Sequence, residues 1–339
     1  MARTTRDEVA ALAGVSSATV SRAYNNPEMV GPVRLARIRE AAMTLGYTPD
    51  LHASALRRRG TGTLLLLMPT GGSSHADDSR MYDFIFSDGV RGVLKALEGT
   101  MYSLRLVTVR SMGEIRQYLH PEVCDGVLVG NGLLAQWPSW LRESAVPVVV
   151  CSQTASLKAP FMCYLDELAG GRAAGEALRM AGCKAPAHIT GKQTELATCR
   201  DRARGFLAAF PGQECPIIDG ELGIRGGYES ARLLLPAIRR GAIDSLFVVN
   251  DLTAVGVMQQ LQEEKIMVPQ QVAIVGYDNL PLVRTLPIPL ATMDIAMDSL
   301  HQQAAELLFK RIGCRDLPPT RIPHVPTFIP GPSLVGVSV

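Results

Sequence analysis

A short segment near the N-terminus concentrates side chains that suit contacts with nucleic acid. Ser16, Ser17, Thr19 and Ser21 are small hydroxyl residues, and Arg22 follows them directly. Hydroxyls near the start of a helix suit hydrogen bonds to phosphate. An arginine can donate two parallel hydrogen bonds to guanine. The spacing therefore predicts a helix whose outward face contacts DNA.

Two short helices joined by a tight turn are predicted to position that face. Val9, Ala10, Leu12 and Ala13 form an apolar stripe at helical spacing, which predicts a first helix with a buried side. Gly14 stands where this helix must end, and glycine suits a left-handed C-cap. The segment therefore predicts a helix that stops sharply before the hydroxyl-rich stretch.

The second helix is predicted to begin at Ser16, a favourable N-cap residue, and to turn Val20 and Ala23 inward. Its outward residues are then Ser17, Ala18, Thr19, Ser21 and Arg22. This is the arrangement of a helix-turn-helix, which places its second helix in the major groove. The alternative is an ordinary helical hairpin with a solvated face. Residues 30–46 carry a further helical pattern that would close a small core.

Residues 4–25 resemble the DNA-binding segment of the LacI/GalR family of bacterial transcription regulators, and the similarity continues past Asn25. Residues 47–50 are similar to the family's Gly-Tyr-x-Pro-Asn, and residues 51–59 resemble its hinge helix. The resemblance implies that Ala53 and Leu56 face the minor groove, where Leu56 would wedge between base steps. The predicted DNA contacts are Thr5, Ser16, Ser17, Ala18, Thr19, Ser21, Arg22, Asn25, Ala53 and Leu56.

The rest of the chain alternates short apolar runs with helical stretches. The 339 residues are 47% hydrophobic and 19% charged, a globular composition with room for two or three domains. Eight apolar runs between residues 64 and 275 predict strands, and seven helical segments lie among or after them. This alternation favours doubly wound parallel sheets, arranged as two lobes with a ligand cleft at the carboxyl ends of the strands.

This body resembles the periplasmic-binding-protein type I fold that the same family carries. The similarity lies in residues 86–92, 125–129, 202–206, 247–256 and 268–278. It implies an all-α helix-turn-helix domain at 1–49, a hinge helix and linker at 50–61, and an α/β effector-binding and dimerisation domain at 62–339. Lobe one would comprise residues 62–163 and 292–322, and lobe two residues 164–291 and 323–339.

Three residues of the body map onto effector-binding positions of the family. Arg202 would present a cation to a carboxylate or to hydroxyls, and Asn250 and Asp278 would contact vicinal hydroxyls. Each has a structural alternative: a surface arginine, a helix N-cap and a turn residue. Tyr82 and Phe86 are further candidates that would stack on a ligand from lobe one, with an aromatic core as their alternative.

Charge and motifs restrict the function classes. The first 60 residues hold nine arginines and five acids, whereas the whole chain has a net charge of only +2, so a basic head precedes a slightly acidic body. No phosphate loop, dinucleotide fingerprint, zinc-protease motif or serine elbow is present, so we expect no enzyme activity, no cofactor and no metal.

Seven scattered cysteines predict buried free thiols. The lack of a signal peptide or a long apolar run predicts a cytoplasmic location.

The sequence thus predicts a homodimeric repressor that binds pseudo-palindromic double-stranded operator DNA, because one head contacts too few base pairs for useful specificity. A small effector between the lobes would change its operator affinity. A sugar acid such as gluconate or 2-ketogluconate is the first choice, with a neutral sugar or a nucleobase as alternatives. A solute-uptake binding protein and a cytosolic sugar-processing enzyme are the alternative functions.

Overall fold

The computed structural model describes residues 4–25, 29–47, 60–69, 83–130 and 136–335. Its N-terminal part contains α1 (Arg6–Ala13), α2 (Ser17–Asn25) and α3 (Pro32–Thr44). Val9, Val20 and Ile38 are fully buried between these helices and form the centre of a small core. The predicted inward position of Val20 is confirmed. The prediction for Leu12 is wrong, because its side chain is 54% exposed.

The remaining described residues form an α/β body. Its strands, in chain order, are β1 (Thr63–Pro69), β2 (Ser103–Val109), β3 (Gly126–Val129), β4 (Val148–Ser152), β5 (Phe161–Leu165), β6 (Pro186–Thr190), β7 (Ile217–Asp219), β8 (Ser245–Val248), β9 (Ala273–Val275), β10 (Thr292–Asp294), β11 (Thr320–His324) and β12 (Thr327–Ile329). Its helices are α4 (Asp83–Leu97), α5 (Met112–Ile115), α6 (Glu167–Met180), α7 (Ala197–Ala208), α8 (Ile224–Arg239), α9 (Asp251–Glu263) and α10 (Met297–Gly313).

Two parallel sheets organise this body. Six strands form one sheet in the order β11-β5-β4-β3-β1-β2, and four form the other in the order β7-β6-β8-β9. Every pairing within the two sheets is parallel. The central strands β3 and β8 are buried along their whole length, as expected for sheets covered on both faces. The doubly wound fold predicted from the alternation is therefore confirmed.

The chain passes between the two sheets three times: after β5, before α10 and after β11. The last two passages meet in a small antiparallel pair of β10 and β12, where Met293 lies opposite Phe328. The backbone N–H of Asp166, just after the first passage, donates to the carbonyl of His324 (2.9 Å). The three passages therefore lie together between the two sheets.

The body contains free thiols and buried imidazoles. All seven cysteines are unpaired thiols; five are buried, Cys183 is partly buried and Cys314 is exposed, so the prediction of burial is wrong for Cys314. Within the described ranges, no helix combines the length and apolarity that crossing a bilayer requires. Burial lowers the pKa of His188 to about 4, so its ring is neutral near pH 7.

Candidate nucleic-acid interface and ligand site

The turn between α1 and α2 is held by glycine and by an arginine from α3. Gly14 adopts the left-handed conformation (φ +63°) as the C-cap of α1, as the sequence predicts. The guanidinium of Arg37 donates to the carbonyl of Ala13 (2.7 Å) and so ties α3 to the end of α1. The hydroxyl of Ser16 accepts a hydrogen bond from the backbone N–H of Thr19 (3.1 Å), which caps the start of α2.

The outward face of α2 divides into exposed residues and residues bonded within the head. Arg22 and Ala18 are exposed. The hydroxyl of Ser17 accepts from the Arg6 Nε–H (2.7 Å), and the hydroxyl of Thr19 lies 2.8 Å from that of Ser16. Arg22 is therefore the long exposed donor of this face, whereas two of its hydroxyls already have partners.

The other predicted DNA contacts have different positions. Thr5 is the N-cap of α1 and forms a capping box, in which its hydroxyl accepts from the Glu8 N–H and its own N–H donates to the Glu8 carboxylate. Ser21 is partly buried on α2. Ala53, Leu56 and the side chain of Asn25 lie outside the described residues.

A buried ion pair lies at the edge of the second sheet. Arg202, on α7, donates from Nε and Nη2 to both oxygens of Glu167 (2.7 and 2.8 Å). Its Nη1 donates to the carbonyl of Val249 (2.5 Å), just after β8. The Tyr277 hydroxyl donates to the same carboxylate (2.7 Å), and its ring lies 3.8 Å beneath the guanidinium carbon. Arg202 is 7% exposed, so the alternative of a surface arginine is wrong.

This pairing determines what Arg202 can offer to a ligand. A guanidinium has five N–H donors, and three are used within the described residues. Its charge is balanced by Glu167, and the attraction of that carboxylate holds the pKa of Arg202 above its usual range despite burial. The group therefore retains two donors suited to hydroxyls, with little net charge for a carboxylate.

Asn250 and Asp278 follow β8 and β9 at the same edge. The side-chain oxygen of Asn250 accepts from the backbone N–H of Thr253 (2.8 Å), so Asn250 caps α9, as its structural alternative proposed. Asp278 has a left-handed backbone (φ +111°) and is buried near Arg202. Burial raises the pKa of its carboxyl well above the usual range, although the charge of Arg202 opposes this.

The carboxyl of Asp251 is also buried and stabilises the residues at this edge of the sheet. Asp251 accepts hydrogen bonds from the Thr292 hydroxyl and the Leu280 N–H (both 2.7 Å). Burial raises the pKa of its carboxyl to about 7. The bonds join α9 to β10 and to the segment after β9, so Asp251 connects one passage between the sheets to the residues around Asp278.

Of the two aromatic candidates, only Phe86 lies within the described residues. Phe86 is partly buried on α4, which packs on the first sheet against α10, and Tyr82 lies outside the described residues. Glu167 and Tyr277 also belong to the cluster around Arg202, and no sequence pattern indicated them. Glu167 lies 35 positions before Arg202, and only the turn of the chain after β5 brings them together.

Two family descriptions match the chain. Residues 5–50 match "Bacterial regulatory proteins, lacI family", and residues 176–334 match "Periplasmic binding protein-like domain". The regulator CelR of Thermobifida fusca is 29% identical over 94% of this chain and 95% of its own. The ribose operon repressor of Escherichia coli (strain K12) is 28% identical over 91% and 93%.

Solved structures agree with these matches. A CelR–cellobiose complex has a TM-score of 0.66 at 26% identity and covers 98% of this chain and 100% of its own. The lac repressor dimer bound to operator also has a TM-score of 0.66, with 98% and 99% coverage; at 18% identity it shows the fold alone. The comparisons thus extend over both the N-terminal helices and the two-sheet body.

Proposed function

The chain belongs to the lacI family of bacterial regulatory proteins, and we propose that it represses transcription by binding operator DNA as a homodimer. It is a regulator rather than an enzyme, and such a protein acts in the cytoplasm, where the chromosome lies. The observation that carries the proposal is the exposed Arg22 on a helix held by the Gly14 turn and the Ser16 cap. These features support the proposal, because the exposed face of the second helix is the one that a helix-turn-helix inserts into the major groove.

We assign residues 1–49 to DNA binding, 50–61 to the hinge and linker, and 62–339 to effector binding and dimerisation, with the lobe boundaries predicted above. The junction supports the second boundary. The Asp125 carboxylate accepts hydrogen bonds from the backbone N–H groups of Thr61 and Gly62 (2.6 and 2.8 Å). This anchor would transmit a movement of the first sheet to the preceding hinge segment.

We further propose that the effector binds between the lobes, beside Arg202, Asn250 and Asp278, with Tyr82 and Phe86 as candidates from lobe one. The sequence favours gluconate or 2-ketogluconate, but the relatives reported above include a cellobiose complex and a ribose operon repressor. The neutralisation of Arg202 by Glu167 favours a neutral sugar instead, because a carboxylate beside Arg202 would meet a guanidinium whose charge is already balanced. Closure of the lobes on the effector would change operator affinity by about 1–3 kcal/mol.

A gel shift with the upstream region of the protein's own gene tests the DNA-binding proposal. Sequence-specific binding at ~0.15 M salt is expected at nanomolar protein, as for specific sites of other regulators. Absence of specific binding at micromolar protein would contradict the proposal. Leu56→Ala is expected to weaken this binding and to leave effector binding intact if Leu56 acts as a minor-groove wedge.

Thermal-shift measurements test the effector class separately. Ribose and cellobiose represent neutral sugars, and gluconate and 2-ketogluconate represent sugar acids. A neutral sugar is expected to raise the melting temperature of the full chain, since a ligand that binds only the folded state stabilises it. Stabilisation by a sugar acid alone would contradict the neutral-sugar proposal and restore the preference from the sequence.

A further inference from the structure

A cavity of about 420 Å³ lies in the first sheet's half of the body, away from Arg202. Its floor includes Phe161 and Val148, which begin β5 and β4, together with Trp137. The proposed effector residues instead follow the carboxyl ends of strands. Val148 is the first of the five residues of β4, so the cavity lies about 13 Å of strand from the carboxyl end of the first sheet. It is therefore separate from the proposed effector site.

The charge of the cavity is one-sided. Four of its twelve lining residues are cationic and none is acidic; the cations are Arg142, Lys158, Arg311 and Arg315. The acids that neighbour two of them in the sequence, Glu143 and Asp316, are not part of the lining. Among the described residues, none of the four cations has an ion pair. Unbalanced charge of one sign in a concave site attracts a counter-charged ligand.

Two of the arginines make contacts with the fold, although Arg315 is exposed. The guanidinium of Arg311, on the last turn of α10, lies 4.7 Å from the ring centre of Phe161. Nη1 of Arg315 donates to the carbonyl of Ala145. Positioned guanidinium groups retain donors in a fork that matches phosphate or carboxylate. The aromatic and aliphatic floor offers a surface for the apolar part of the same ligand.

We propose that this cavity binds a small organic dianion, with its charged group on the arginines and a ring or apolar part on Phe161 and Trp137. The volume is within the range of small-molecule sites. The charged group is a phosphate ester or a pair of carboxylates, which share the chemistry that the arginines bind. The proposal is independent of the effector cleft, since none of the predicted effector residues lines the cavity.

The chain provides its own reporter for this site. It has only two tryptophans, Trp137 in the lining and Trp140, whose ring lies 4.6 Å from the Arg116 guanidinium carbon. In the full chain with Trp140→Phe, all tryptophan fluorescence comes from Trp137. Phenyl phosphate and phthalate, titrated at constant ionic strength, represent the two kinds of dianion, and phenol is the neutral match for the first.

A saturable change of Trp137 fluorescence below about 10 mM is expected for at least one dianion and not for phenol. The stronger of the two identifies the charged group. Arg311→Gln with Arg315→Gln is expected to weaken binding at least tenfold. Lys158 is exposed, so Lys158→Gln leaves the packing of the fold intact, and this substitution is expected to weaken dianion binding severalfold. Arg240 is an exposed arginine on the other half of the body, and Arg240→Gln is expected to leave dianion binding unchanged.

Three outcomes would overturn the proposal. They are no saturation with either dianion, an equal response to phenol, and a response that survives both the double substitution and Lys158→Gln. The last result would show a general effect of charge rather than a site.

Discussion

Glu167 and Arg202 form a bidentate ion pair with both side chains almost entirely buried. Glu167 begins α6 directly after the chain leaves the first sheet, and Arg202 lies on α7 of the second. Tyr277 completes the group by donating to the same carboxylate. The pair therefore fixes the residues at the start of one passage between the lobes, and it also sets the charge that a ligand would meet.

Removing Glu167 from this ion pair is expected to lower the free energy of unfolding. Glu167→Ala would leave the Arg202 guanidinium buried without a counter-charge, and breaking such pairs costs about 3–5 kcal/mol. Urea unfolding of the full chain measures the loss. Glu176→Ala removes the partner of Arg172 from an exposed pair on α6 and is expected to cost at most about 1 kcal/mol. Equal losses from the two variants would show that the buried pair has no special structural role.

The arginine of the second helix is expected to determine part of the base specificity. Arg22→Lys keeps the charge but removes the planar fork, so preference for the operator over random DNA should fall by about 1–3 kcal/mol. Arg34→Ala, at an exposed position on α3, should not reduce that preference. Binding curves on operator and scrambled duplexes give both quantities. An unchanged ratio in Arg22→Lys would exclude Arg22 from base recognition.

The turn between α1 and α2 is expected to tolerate only glycine. A Cβ at Gly14 would require a left-handed alanine and would approach Nη2 of Arg37 to 2.8 Å, displacing its bond to Ala13. Gly46→Ala has a similar φ of +60° but open space, so it measures the backbone cost alone. Hydrogen exchange of the amides in the N-terminal helices should show that Gly14→Ala destabilises them by about 1 kcal/mol more than Gly46→Ala does. Equal protection in the two variants would contradict the role of Arg37.

The buried carboxyl of Asp251 predicts a pH dependence of stability. Its pKa of about 7 in the folded chain exceeds the value of about 4 expected when unfolded. Its contribution is therefore complete below pH 4 and is lost as the pH rises through 7, because between these values the unfolded state has released the proton and most of the folded state retains it. The side chain of the Asp251→Asn variant does not titrate, so its stability lacks this pH dependence. The stability difference, variant minus wild type, should rise by up to about 3 kcal/mol from pH 5 to pH 7 in urea unfolding.

Taking the difference between the two proteins removes the opposing effect of His188. The pKa of that buried ring is lowered to about 4, so His188 reduces stability as the pH falls below about 6.5. A difference that stays constant across the range would show that the Asp251 carboxyl is already ionised at pH 5 in the folded state.

Local patterns predicted most of the elements, because their signals lie within a few residues. All eight predicted strands are present with ends within two residues of the predicted ones, and Gly14 and Ser16 cap the helices as expected. The predicted helix at 138–144 is instead a single 3-10 turn, Ser139–Leu141. Local patterns did not predict β5, β10, β11 and β12. The pairings of β5 with β11 and of β10 with β12 join strands that are distant in the sequence, although β5 also pairs with the neighbouring β4. Such pairing depends on tertiary context rather than on local periodicity.

The candidate ligand site was less predictable for the same reason. Arg202 was predicted to present a cation to a ligand, but its charge is balanced by Glu167, a residue 35 positions away that no local motif indicates. For Asn250, the sequence suits two roles equally well, capping a helix and binding a sugar. The structure shows that Asn250 caps α9. The exposure of Leu12 likewise depends on where α3 packs rather than on the spacing of apolar residues in α1.

We propose that this chain recognises a defined DNA sequence through two copies of its N-terminal helices. In vitro selection from a randomised duplex pool, followed by binding curves at ~0.15 M salt, tests this recognition. We expect an enriched inverted repeat, bound at about 10⁻⁸ M or tighter and at least ~10³-fold more tightly than a scrambled duplex. A pool without an enriched sequence, or equal affinity for the selected and scrambled duplexes, would contradict it.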